Sequence, residues 1–304
     1  MLSIRFWGVR GSIPCPGRDT VEFGGNTSCL EIRADKKLII VDLGTGVKSL
    51  GDWIMGNDSK AGPVDMDIFI SHTHWDHIMG FPMFTPIFIP GTKMRIRGPV
   101  SFNDDTLDSI IGDQLSYRYW PVRHAELAAK IEYQELKETT LDIGGGLKVT
   151  TKYLNHPVLC LGYRFEYQGK SIVTAFDHEP FRNLFPTDPE DPNYNEDAAQ
   201  EGEAAAKEEN KKILQFIKGA DILIHDAQYT PEEFEKHLGW GHSSYDYAIE
   251  AAVQAEVKKL VFYHHDPNRT DEQLESLAEK YKSEIRDKSG PEIIMAQEGV
   301  TLEA

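Results

Sequence analysis

The chain has 304 residues, 40% of them apolar and 27% charged, and carries a formal net charge of −17. That balance belongs to a globular protein with a real core, and its negative field repels long polyanions unless a local basic patch offsets it. No long nucleic acid is therefore expected as a partner. A small anionic substrate is, because bound metal ions can dominate the potential inside a pocket.

Met1-Leu2-Ser3-Ile4-Arg5-Phe6 reads directly as a strand with no basic segment ahead of an apolar run, so no signal peptide is expected. No apolar stretch reaches the ~20 residues of a membrane span, so no membrane partner is expected either. Cys15, Cys29 and Cys160 form no CxxC pair and read as reduced thiols of a cytoplasmic protein. Residues 3–8, 28–33 and 37–42 are short β-branched and aliphatic runs punctuated by Gly, Pro or Asp, the pattern of strands. Residues 47–55 read as a helix ending in the turn Gly56-Asn57-Asp58. Residues 66–70 form a compact apolar run, a buried strand, which leads into Ser71-His72-Thr73-His74-Trp75-Asp76-His77.

Further strands are expected at 94–97, 147–153, 162–167 and 171–175, and a mixed aromatic and helical stretch at 107–119. Residues 186–210 are acidic and poor in large apolar side chains, and read as a surface excursion leading into a solvated helix. Helices at 210–218, 244–255 and 272–282 then alternate with strands at 221–225, 260–263 and 291–296. Strands first, then alternating strands and helices, predict an α/β protein of two packed sheets with helices outside. Neither repeats nor a linker divide the chain, so one domain over 1–304 is expected.

Three histidines and one aspartate fall within six residues directly after a buried strand. In an extended loop, residues two apart project to the same side, so His72, His74 and Asp76 can converge, and His77 can turn inward at the next helix start. Imidazole with carboxylate suits zinc, manganese or iron. A second set lies at strand ends: His156 in Leu154-Asn155-His156-Pro157, Asp177 in Phe176-Asp177-His178-Glu179-Pro180, and His264 in Tyr263-His264-His265-Asp266. The sequence leaves open whether His264 or its neighbour His265 is the last ligand. Together these provide seven ligands, enough for two divalent metal ions sharing one carboxylate, with zinc the first choice.

HTHWDH resembles the HxHxDH signature of the metallo-β-lactamase superfamily, and the spacing to a lone His, a lone Asp and a C-terminal His also matches. The resemblance implies an αββα sandwich of two mixed sheets covering essentially the whole chain. It implies that His72, His74 and His156 bind one metal, that Asp76, His77 and His264 bind the other, and that Asp177 bridges them. The β-lactamase branch commonly has Cys at the bridging position, so Asp177 argues against that branch. His225-Asp226-Ala227-Gln228 resembles the HEAT motif of RNase Z and related phosphodiesterases, with Asp226 in place of Glu, one methylene shorter. Gly241-His242-Ser243-Ser244 resembles their HST motif, in which the His protonates the leaving oxygen. On the residues alone, His242 could instead be a neighbour of a helix-capping Ser243 or Ser244. A basic tRNA-gripping insertion like that of RNase Z is missing from the sequence.

Phe6-Trp7-Gly8-Val9-Arg10-Gly11-Ser12-Ile13-Pro14 and Gly24-Gly25-Asn26-Thr27-Ser28-Cys29 resemble a subgroup that includes phosphoribosyl 1,2-cyclic phosphate and cyclic-nucleotide phosphodiesterases. Tyr117-Arg118-Tyr119-Trp120-Pro121-Val122 also looks like this subgroup. It could roof a pocket by stacking on a base, or be a packed aromatic cluster with a snorkelling Arg. The expected activity is hydrolysis of a small cyclic phosphodiester, such as a cyclic nucleotide. A hydroxide held between the metals would attack phosphorus, Asp76 would orient it, and His242 backed by Asp226 would act as general acid. The alternatives are a carboxylic-ester, thioester or lactone hydrolase on the same metals, or a non-catalytic metal-binding module. Resemblance to RNase Z-like relatives adds a homodimer as the expected assembly.

Overall fold

A computed structural model describes residues 1–100, 105–285 and 290–304. Along the chain come β1 (Leu2–Gly8), β2 (Cys29–Ala34), β3 (Lys37–Val41), α1 (Val47–Gly56), β4 (Asp65–Phe69), α2 (Trp75–Ile78), β5 (Lys93–Pro99) and α3 (Leu107–Gly112). There follow β6 (Lys130–Leu136), β7 (Thr140–Asp142), β8 (Lys148–Leu154), β9 (Cys160–Tyr167), β10 (Lys170–Ala175), α4 (Glu196–Ile217) and β11 (Ile222–Asp226). The last elements are α5 (Pro231–Phe234), α6 (Tyr245–Gln254), β12 (Lys259–Tyr263), α7 (Asp271–Ile285), β13 (Glu292–Met295) and β14 (Thr301–Glu303).

Among the described residues the strands form two seven-stranded sheets, ordered β14-β1-β2-β3-β4-β5-β6 and β13-β12-β11-β10-β9-β8-β7. Both are mixed: β3 to β6 run parallel, as do β10 to β13, and the remaining pairs are antiparallel. Period-two alternation sends one set of side chains from each sheet inward. Ile4, Ile32, Ile39 and Phe69 of the first sheet meet Phe165, Ile172, Ile224 and Val261 of the second in one buried cluster. The opposite faces are covered by helices. Val47, Leu50 and Ile54 of α1 and Leu107 and Ile111 of α3 pack on Ile40, Ile68 and Ile96, while α4, α6 and α7 pack on Val173, Leu223 and Leu260. This is the expected α/β class, an αββα sandwich.

Three strands, β6, β7 and β14, lie outside the sequence expectation. The strand β6 is Lys-Ile-Glu-Tyr-Gln-Glu-Leu, half charged or amide and largely exposed, and it closes one edge of its sheet, where polar side chains suppress further pairing. The helix expected at 210–218 is the last part of α4, which starts at Glu196; the aromatic stretch after 107 is helical only to Gly112.

Strand direction decides where chemistry can gather. The strand β8 runs antiparallel to β9, which runs antiparallel to β10, so β8, β10, β11 and β12 all point the same way. His156, Asp177, Asp226 and His264 all lie at the C-terminal ends of these strands or just beyond, and the 72–77 loop follows the C-terminal end of β4.

Candidate metal centre

His74 is the extended residue before α2, and Asp76 and His77 occupy the first turn of that helix, which swings both side chains back toward the loop. His72, His74 and His156 bring one ligand atom each within 4.8 Å of one another, and so do Asp76, His77, Asp177 and His264. The Nδ1 of His74 lies 3.0 Å from Nε2 of His156, and Nε2 of His72 lies 3.5 Å from Asp177 Oδ2. Nε2 of His77 is 3.2 Å from Nε2 of His264 and 3.3 Å from Asp177 Oδ2. Asp76 Oδ2 is 3.2 Å from His264 Nε2 and accepts the Ser12 N–H at 2.7 Å.

For three of the rings, a partner on the far side selects the tautomer. His77 Nδ1 meets Asp42 Oδ2 at 2.6 Å, His156 Nδ1 meets the Gly241 carbonyl at 2.9 Å, and His264 Nδ1 meets Gln228 Oε1 at 3.2 Å. Each acceptor takes the Nδ1 hydrogen and leaves an Nε2 lone pair facing the cluster, as in histidines that ligate metals. Lone pairs and carboxylates gathered at such distances repel, and buried His72 Nε2 and Asp177 Oδ1 have no hydrogen-bond partner. Divalent cations fit this donor set and satisfy what it leaves open.

The backbone is bent to suit. Asp42, Asp177, His264 and Ser12 all adopt left-handed φ, between 60° and 64°. Such conformations cost about 1–3 kcal/mol each and persist where the surroundings over-determine them. Gly11 runs against His264, where a Cβ would come within 2.4 Å of the imidazole.

Beside the cluster, His242 Nδ1 donates to Asp226 Oδ2 at 2.8 Å, so the one-methylene shortening from Glu does not break the pair. Asp226 is itself held by the N–H groups of Gln228 at 3.1 Å and His178 at 3.4 Å. The His242 ring stacks on His264 with centroids 5.0 Å apart. Burial alone would strip its proton. The charge and hydrogen bond of Asp226 outweigh burial, Asp177 and Asp76 add to them, and the imidazole is pushed up to about 9. Capping of α6 falls to Ser244, whose hydroxyl accepts the Tyr247 N–H, and Ser243 bonds the His178 carbonyl.

His265 points away and is bonded to the Ala296 carbonyl at 2.9 Å, while His264 sits in the cluster. In the 117–122 stretch, Tyr117 is exposed, bonded to Glu126 and covered by Arg123 rather than Arg118, and Trp120 is half-buried on the outer core. Sequence reasoning missed Asp42. It accepts from Ser28 and Ser71 as well as from His77, and its one signal is an Asp ending the buried run Leu38-Ile39-Ile40-Val41. Gln228, Gly241 and Glu179 were missed too.

Residues 23–264 match the Metallo-beta-lactamase superfamily. The chain belongs to that superfamily. Ribonuclease Z of Thermoplasma volcanium is 27% identical to this metallo-β-lactamase-fold protein, over 98% of this chain and 97% of its own. A metallo-beta-lactamase fold protein from Bacillus subtilis superposes with a TM-score of 0.64 at 17% identity, covering 100% of this chain and 99% of its own. Human tRNase Z, short form, superposes with a TM-score of 0.63 at 19% identity, covering 99% and 98%. The chain is thus a metal-dependent hydrolase of the metallo-β-lactamase superfamily, similar over nearly its whole length to ribonuclease Z. The Thermoplasma relative overturns the expectation that no long nucleic acid is a partner, since a ribonuclease acts on RNA. That expectation summed charge over the whole chain, whereas a substrate meets a local field, which divalent ions at the cluster would make positive.

Proposed function

We propose that this hydrolase is a phosphodiesterase with His242 as its general acid. The observation that carries the reading is the 2.8 Å bond from His242 to Asp226, on a ring stacked against His264. A phosphodiester releases an alkoxide, a poor leaving group until protonated. A carbonyl substrate relies less on such an acid when its oxyanion is otherwise stabilised.

In this reading His72, His74 and His156 would hold one divalent ion and Asp76, His77 and His264 a second, with Asp177 available to both. Two such ions supply a nucleophile at neutral pH and offset charge on phosphoryl oxygens. Asp42, Gly241 and Gln228 fix the rings of His77, His156 and His264. Asp76, anchored by the Ser12 N–H, keeps a carboxylate at the cluster to orient the attacking group. Asp226 keeps Nδ1 of His242 hydrogen-bonded, which leaves Nε2 to deliver the proton. Zinc is the proposed metal and the cytoplasm the proposed compartment; elemental analysis decides the first between zinc, manganese and iron.

The substrate we favour is a small cyclic phosphodiester, supported by the likeness of the segments at 6–14 and 24–29 to cyclic phosphodiesterases. RNA is the second reading, favoured by the ribonuclease Z relative that spans nearly the whole chain. His242→Ala is expected to keep its metal and lose about 10²–10⁴-fold in turnover of an alkyl-leaving phosphodiester. Undiminished turnover in that variant removes His242 as the acid. Running a cyclic nucleotide and an RNA side by side on the native protein chooses between the substrates.

A further inference from the structure

The proposed acid and one edge of the metal cluster hang on the same short loop, Gly239-Trp240-Gly241-His242. Gly241 offers its carbonyl to His156 Nδ1 at 2.9 Å, and its φ of +84° places any Cβ 2.2 Å from that nitrogen. His242 follows immediately. Beneath the loop lies Glu179, only 3% exposed. Its Oε2 accepts the N–H of Gly239 at 2.8 Å and of Gly241 at 2.9 Å, and its Oε1 shares the Gly239 N–H at 2.9 Å. Two backbone N–H groups cradling one anion form a nest, here filled by the protein's own carboxylate. The Glu179 N–H donates to the Asn155 carbonyl at 2.9 Å, one residue before His156. A single residue, two past Asp177, therefore ties together the segments that carry His156, Asp177 and His242. The Arg182 Nε, 3.4 Å away, is the one cation paired with it among the described residues.

We infer that Glu179 is a positioning residue that sets the Gly239–His242 loop, and through it both the His156 ring and the reach of the His242 acid. A buried carboxylate accepting backbone N–H groups makes charge-assisted bonds, about twice as strong as neutral ones. Removing it leaves two N–H groups of the loop unpaired, both on glycines in left-handed conformations. The inference rests on the phosphodiesterase reading for the acid, but not for the metal ligand.

The test uses the full-length, metal-loaded protein as Glu179→Ala, Glu179→Gln and His242→Ala. Turnover is measured on an aryl phosphodiester, bis(p-nitrophenyl) phosphate, and on an alkyl-leaving one, a 2′,3′-cyclic nucleotide. Metal retention is followed separately by chelator competition. Glu179→Ala is expected to lose about 10²-fold on the alkyl ester and under about 10-fold on the aryl ester, whose leaving group needs no acid. Its first-released metal is expected to bind about 10–100-fold more weakly, the usual cost of losing support behind a ligand. Glu179→Gln retains an oxygen for both N–H groups and is expected to stay within about 10-fold of native turnover on both esters.

Equal losses on the two esters with unchanged metal retention would reduce Glu179 to a structural role and overturn the inference, as would native behaviour of Glu179→Ala. If His242→Ala discriminates between the esters and Glu179→Ala does not, the acid stands and the brace falls. If His242→Ala fails to discriminate, the acid reading falls, and weakened metal retention in Glu179→Ala still upholds the brace on His156. Should Glu179→Ala not accumulate, Glu179→Asp keeps the charge but shortens the reach, and the same selective losses are expected of it.

Discussion

A buried imidazole among other imidazoles ordinarily gives up its proton. Burial, with like-charged neighbours, holds His72 and His74 below the usual range and takes His156 down to about 4. His242 goes the other way because Asp226 stands directly behind it. Divalent ions next to Asp76 and Asp177 would cancel the help those two carboxylates give, so Asp226 is the partner that survives metal loading. Raised from 6.5 to about 9, the pair stabilises the folded chain fully below pH 6.5 and loses that contribution as pH rises through 9. The same protonation sets the activity. On an alkyl-leaving phosphodiester, turnover is expected to hold through neutral pH and fall on an alkaline limb as pH rises toward 9. Asp226→Asn leaves the burial and removes the charge, so the limb should move below 6.5 and turnover at pH 7.5 should fall about 10²-fold. A pH–rate profile checks this, and an unmoved limb would mean that the proton used is not the one on His242.

At the scale of elements, β4 leads into the metal loop and carries a buried ionic tie at its centre. Asp67 is 1% exposed, lies 2.8 Å from Arg95 Nε and 3.2 Å from Lys37 Nζ, and also pairs with Arg97, so it joins β3, β4 and β5. Burial opposes its charge, but the hydrogen bonds from Arg95 and Arg97 and the charge of Lys37 win and hold the carboxyl down at about 2. Asp67→Asn is expected to cost about 3 kcal/mol by removing the carboxylate that Arg95, Arg97 and Lys37 share, read as a lower urea midpoint. In the native protein the contribution is present above pH 4 and is lost as pH falls through 2, which acid titration of the unfolding transition would show. The first half of the cluster was legible in the sequence because its candidate ligands are local, two residues apart at the end of an apolar strand. The second set was legible because His156, Asp177 and His264 each follow a recognisable strand. Their supports were not: Asp42 reaches His77 across 35 residues and Gly241 reaches His156 across 85, so only folding brings them together. The first half of α4 was missed for another reason. Its Ala- and Glu-rich turns bury almost nothing, and they hold by helix propensity, the Asn195 cap and two acidic residues in the first turn, signals that apolar periodicity does not register.

At the scale of the molecule, a charge of −17 coexists with kinship to a ribonuclease. A phosphate-bearing substrate is drawn in where the local field differs in sign from the field of the chain as a whole. The cluster places the carboxylates of Asp76 and Asp177 close together, and two divalent ions held there would add positive charge where the substrate must sit. Activity on any phosphodiester should therefore depend on metal for attraction as well as for chemistry. The most direct measurement is turnover by the purified protein of known metal content, on a cyclic nucleotide, an RNA, a thioester and a lactone, before and after chelation. Phosphodiester hydrolysis is expected to disappear on chelation and return when the metal is restored, with the thioester and lactone turned over far more slowly. A fully loaded protein that cleaves the thioester or lactone and leaves both phosphodiesters intact would contradict the phosphodiesterase reading.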